Sequence, residues 1–193
     1  MKKLAILLLL LPLAACIRLT PKPPASLLTL DSAVTVPVGQ TQNTAQAATI
    51  TIAIPTVPQE LATNRVPVLA DQTAIAYVKD TQWVEMPSRL FARLLSDTLT
   101  VRTGRVVLSG RQARVDPGAQ LSGELRRFGI DAQSNEAVVV FDATLVRGNA
   151  PAFEKRRFEA RAPLTTIDAN TVGPALSTAA NQVAGDVADW VGR

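Results

Sequence analysis

Hydrophobic and polar positions change period several times along the chain, and each change predicts an element. Leu4 to Leu13 is a ten-residue run without a polar side chain. As a helix it would rise only about 15 Å, roughly half the hydrocarbon core of a bilayer, too short for a permanent span. From Ile17 to Ala48 the pattern dissolves into Pro, Thr, Gln and Ala, relieved by one apolar patch at Leu27, Leu28 and Leu30. Such a stretch has too little to bury and reads as a flexible tether, with a candidate first strand at residues 26–30. "TITIAIP" then sets Ile50, Ile52 and Ile54 against Thr49, Thr51 and Ala53, the period-two alternation of a half-buried strand, which Pro55 and Pro58 end. Short strands are predicted at Arg65 to Leu69 and Ala74 to Lys79. The period shifts to helical over Pro87 to Arg102, where Leu90, Phe91, Leu94, Leu95 and Leu99 share a stripe while Arg89, Arg93, Ser96 and Asp97 face elsewhere. Pro87 suits the first turn and Gly104 lies just past the end. Three longer strands follow at Ala119 to Ile130, Ala137 to Arg147 and Ala152 to Ala162. The chain closes on Val172, Leu176, Ala180, Val183, Val187 and Trp190 at helical spacing, in a helix starting between Asn170 and Gly173.

Runs of strands broken by only two helices predict an α+β fold, a single antiparallel-rich sheet with two amphipathic helices packed on one face. The organisation expected is a leader at 1–15, a tether at 16–48 and a folded domain at 49–193. Without the leader 178 of the 193 residues remain, enough for one domain with a sizeable core.

Lys2 and Lys3, the apolar run, and then Ala14, Ala15 and Cys16 form a secretory leader. "LAAC" resembles the bacterial lipobox, in which cleavage leaves an N-terminal cysteine acylated on sulfur and amine. Cys16 is the only cysteine, so it has no disulfide partner within the chain. One acyl chain binds membranes marginally, whereas several on one residue hold a protein there. The alternative is an ordinary export signal with an incidental cysteine.

Charge and composition then narrow the chemistry. Of 20 basic side chains two, Lys2 and Lys3, fall in the leader, leaving 18 against 16 acids, which is no nucleic-acid signature. Histidine is absent, removing the commonest general base and nitrogen ligand, and the sole thiol is assigned to lipid. No cofactor or metal is expected, and no catalytic residue. Ser109 and Ser122 precede glycine outside any nucleophile motif. Asp80 and Glu85 flank Trp83 and are the best carboxylate pair for a small envelope hydrolase, against the plainer reading as solvated loop acids. "RRF" at Arg126, Arg127 and Phe128, and "KRRF" at Lys155 to Phe158, read as solvated strand cations cross-paired with Glu124, Glu154 or Glu159. Arg126 and Arg127 are also candidates for contacting a lipid phosphate or an acidic partner.

The stretch from Thr49 to Leu99 carries a resemblance. Pro58, Leu61, Arg65 and Val68, then Trp83, Glu85, Pro87, Leu90, Leu94 and Leu99, resemble the ABC-type transport auxiliary lipoprotein family, with "LLTL" at Leu27 to Leu30 where that family has an aromatic "YYTL" opening. The resemblance implies a periplasmic lipoprotein, anchored in the outer membrane, working with an ABC or permease transporter and an MCE-domain protein in lipid transport. Ile17 after the cysteine, rather than aspartate, favours the outer membrane. Trp83 is a candidate partner contact on this reading, although a turn tryptophan is more often core. The membrane is engaged through the acyl chains, and phospholipid binding and self-association are both compatible. The rivals are a structural envelope lipoprotein or secretion pilotin, and the small hydrolase.

Overall fold

Period-two segments join into one sheet, and the two helical stretches cover a single face of it. The structure is a computed structural model and describes residues 27–39, 41–108, 112, 118–148 and 152–192. Cys16 and the leader lie outside the described residues. The elements are β1 (Thr49–Ile52), β2 (Arg65–Leu69), β3 (Ile75–Gln82), α1 (Pro87–Thr103), β4 (Val106–Leu108), β5 (Ala119–Asp131), β6 (Glu136–Val146), β7 (Phe153–Pro163) and α2 (Val172–Val191). A 3-10 turn, Gln59–Leu61, precedes β2. The α+β class, the single sheet and the two helices agree with the sequence pattern.

The seven-stranded sheet is mixed, with parallel pairings that the antiparallel-rich expectation did not include. Strand β1 runs parallel to both β4 and β5, and β2 runs parallel to β5. Antiparallel ladders join β2 to β3, β5 to β6 and β6 to β7. Parallel neighbours need a crossover and are remote in sequence, so nothing in the local pattern of β1 and β2 announces their partner. Strand β4 and the 3-10 turn were not anticipated either, being too short to display a period.

Strand β5 organises the sheet. Its one edge pairs with β6 from Gln120 to Asp131. Its other edge is shared: β1 takes Ala119 to Leu121, Thr56 makes a lone bridge to Glu124, and β2 takes Ile130 and Asp131. The β5–β6 register slips between Leu125 and Arg127, leaving Arg126 as the extra residue of a bulge.

The core lies between the helices and the covered sheet face. Leu90, Phe91, Leu94, Leu95 and Leu99 of α1 are all buried, as are Val172, Leu176, Ala180, Val183 and Val187 of α2. Gly104 closes α1 in the left-handed conformation at φ 66°, its N–H donating to the Thr100 carbonyl. An aromatic chain crosses the core, with Phe128 5.3 Å from Trp83 and 6.4 Å from Phe91, and Phe91 5.2 Å from Phe141. Leu94→Ala is expected to cost about 2–5 kcal/mol through lost transfer energy and a residual cavity. Exposed Arg93 forms a surface ion pair with Glu85, so Arg93→Ala should cost about 1 kcal/mol or less. Urea melts separate the two; coincident curves would overturn the phase assigned to α1.

The segment before β1 is partly built into this body. Leu28 bridges Trp83 in parallel, and Leu30 is only 5% exposed. Asn181 of α2 accepts from the Ala33 N–H at 2.7 Å and donates to the Asp31 carbonyl at 3.0 Å. Burying Leu30 contributes about 1.5–3 kcal/mol against about 1–2 kcal/mol for each residue ordered, so the bonds to Gln82, Val84 and Asn181 share in holding this stretch. Residues 28–33 therefore pack on the body rather than continuing a free tether.

Candidate functional site

The sheet face opposite the helices is open, and β5 to β7 stud it with alternating charges. Arg157 on β7 lies across from Asp142 on β6 and donates through Nε at 2.6 Å and Nη2 at 2.7 Å. Arg126 also approaches Asp142, at 3.5 Å, and lies 3.7 Å from Glu124. The hydrogen bonds from Arg157 hold the Asp142 carboxyl below the usual carboxylate range, against the opposing effect of burial, and the charges of Arg157 and Arg126 add to them. Arg161 joins Glu159 and Glu136 along the same face. Exposed pairs of this kind contribute little stability each. Their effect is to fix the guanidinium groups in one orientation.

Beside this ladder the sheet opens into an apolar wedge. Strand β2 pairs with β5 only at Ile130 and Asp131, so the β5 edge from Arg126 to Phe128 has no ladder partner on β2. A cleft of about 260 Å³ fills the gap, lined by Leu61, Pro67, Leu69 and Ile75 with Arg126 and Arg127 at its rim. Two residues shape it. Pro67, inside the sheet, has no N–H to donate. Gly129 sits so close that a Cβ there would lie 2.5 Å from the Pro67 carbonyl oxygen and 2.8 Å from its ring. Arg127 is held at 3.4 Å from Asp131. For Asp131 burial pushes the carboxyl up, but the N–H groups of Gln133 and Ser134 together with Arg127 outweigh it and the net direction is downward. Next to the wedge a polar groove of about 680 Å³ runs over Thr56, Ser122, Glu124, Asp142 and Lys155. Arg126, as the bulge residue, borders the wedge and reaches the acids of the groove. A wedge that accepts an apolar side chain, flanked by fixed cations, suits a protein or amphiphile contact more than bond chemistry.

The structure brings Arg126 and Arg127 to this one site and separates Trp83 from it. Trp83 is 1% exposed, stacked on Phe128 from the core side, so its ring does not face a partner. Its Nε1 is buried without a hydrogen-bond acceptor among the described residues. Asp80 and Glu85 do not converge either: Asp80 is an exposed residue of β3 at φ 50°, and Glu85 is engaged by Arg93. Burial pushes one carboxyl up, that of Asp97 on α1, with Arg93 opposing the shift, and Asp97 lines neither cleft. Among the described residues no three His, Cys, Asp or Glu side chains converge to hold a metal ion. No described helix is long and apolar enough to cross a membrane. Sequence reasoning missed Pro67, Gly129 and Asp142. The proline inside a strand was a visible signal of a broken ladder, whereas the pairing of Asp142 with Arg157 depends on register.

A family model described as "ABC-type transport auxiliary lipoprotein component" matches residues 28–188. A solved structure of a Xanthomonas campestris protein of the DUF330 family superposes with a TM-score of 0.69 at 17% identity, covering 86% of this chain and 94% of that one. A second, of a protein described as uncharacterized, gives 0.63 at 16% identity, covering 75% and 93%. At these identities the structural likeness shows a shared fold alone. No curated protein matches the chain.

Proposed function

Because the chain belongs to the ABC-type transport auxiliary lipoprotein family, we propose that it is acylated at Cys16, anchored in the outer membrane facing the periplasm, and serves a lipid-transport system by binding the periplasmic part of an MCE-domain partner. The carrying observation is the family match over residues 28–188 in a chain whose leader ends in "LAAC". The family is one of auxiliary transport components, and the work assigned here is contact rather than catalysis. The contact surface is the wedge with Arg126 and Arg127 at its rim, where an apolar side chain of the partner enters and its acidic groups meet oriented guanidinium groups.

The test uses the full-length, tagged protein in its own envelope. Solubilised in detergent, it is expected to co-purify with MCE and transporter components. Arg126→Glu with Arg127→Glu should reduce capture about tenfold or more, since 1.4 kcal/mol is a factor of ten and disrupted charge pairs at interfaces commonly cost more. Thermal melts of the double variant guard against a folding artefact. Capture of a secretion complex instead would favour the pilotin reading. Turnover of an envelope substrate that disappears in Asp80→Asn with Glu85→Gln would favour the hydrolase.

A further inference from the structure

One strip of surface lies where the described chain begins, at Leu27. The Leu28 N–H donates to the Gln82 carbonyl and the Val84 N–H to the Leu28 carbonyl, both at 2.8 Å. This parallel bridge turns Trp83 and Leu28 toward the core, so the alternate positions face outward. Leu27 is 51% exposed, Val84 52% and Met86 38%. Of the nine large apolar side chains exposed among the described residues, these three fall within one short strip. Its charge is also one-sided. Glu85 is taken up by Arg93, while Arg89, exposed one turn into α1, has no ion-pair partner among the described residues.

We propose that this strip, Leu27, Val84 and Met86 with Arg89, rests on an anionic phospholipid surface and sets the orientation of the domain on its membrane. The inference depends on the reading of Cys16 as acylated. Ten residues lie between Cys16 and Leu27, and the eleven steps of a fully extended chain span at most about 40 Å. Leu30 in the core and the two bonds from Asn181 fasten the following residues, so the pull of the anchor is delivered at Leu27. The edge at Leu27 is thereby held closest to the lipid. Side chains that can enter the headgroup boundary, beside an uncompensated arginine, have the chemistry of an interfacial contact. A protein partner would gain nothing from the short connection, whereas a lipid surface is brought within reach by it.

The full-length acylated protein is reconstituted into vesicles of phosphatidylethanolamine and phosphatidylglycerol. With Cys16 acylated, Val84→Cys supplies one reactive thiol for an environment-sensitive fluorophore, and Ser122→Cys on the open sheet face supplies the control. The label at position 84 is expected to shift to the blue and to be quenched by nitroxide-bearing lipids at least about twofold more than the label at position 122. Adding Arg89→Glu should reduce that quenching. Equal lipid quenching at both positions, or quenching at position 84 by aqueous iodide alone, overturns the proposal while leaving acylation intact. The mass of the N-terminal peptide keeps the two apart: a peptide without acyl chains overturns the lipoprotein reading and this inference together.

Discussion

Phe128→Ala is expected to lower the unfolding free energy by about 3–5 kcal/mol, the range for truncating a buried aromatic ring. Small domains are stable by only about 5–15 kcal/mol, so about a fifth or more of the total would be lost. The ring is 1% exposed and touches two others, Trp83 and Phe91, whose chain continues to Phe141. Removing it leaves a void between β5 and α1 that close-packed neighbours cannot fill. Trp83→Phe is the contrasting substitution. It keeps a ring against Phe128 while deleting a buried N–H that has no acceptor among the described residues, so the unmet desolvation of that donor offsets part of the lost volume. Denaturant melts read both. A drop in midpoint for Phe128→Ala at unchanged m-value is the expected result, and a loss no larger than that of Trp83→Phe would overturn the central position given to this ring. Since Phe128 backs the β5 edge at the wedge, the same variant should lose partner capture before it loses the fold.

Cys16→Ala should release the protein from the membrane fraction or leave it uncleaved. Each buried methylene of an acyl chain contributes about 0.8 kcal/mol, so several chains on one residue amount to an anchor that no surface contact replaces. The strip at Leu27, Val84 and Met86 is far too small to hold the domain alone. Growth with labelled palmitate followed by fractionation measures both outcomes. Wild type should carry label in the membrane fraction and the variant none. Equal label in the two would end the lipoprotein reading.

Both helices could be read from the sequence because each has an apolar stripe long enough to show its period, with Pro87 and Gly104 marking the ends of α1. The three long strands β5, β6 and β7 were legible for the same reason, and their bounds fall within a residue or so of the alternation. Arg126 and Arg127 could be singled out as cations beside an aromatic residue, and Cys16 by its place after an apolar run. Local pattern determines these features, since one side chain in two or in three to four must face apolar surroundings wherever the element finally lies. Register and pairing are different, because they depend on residues far apart in the chain. Only the tertiary structure decided that β1 and β2 share an edge of β5 in parallel, that the short pairing of β2 with β5 leaves the wedge at Pro67 and Gly129, and that Arg126 is a bulge residue able to reach both wedge and groove. It also decided that Trp83 is core, because Phe128, 45 positions further along the chain, supplies the surface that buries it. Burial of a side chain is a property of everything packed against it, and no local window of sequence contains that.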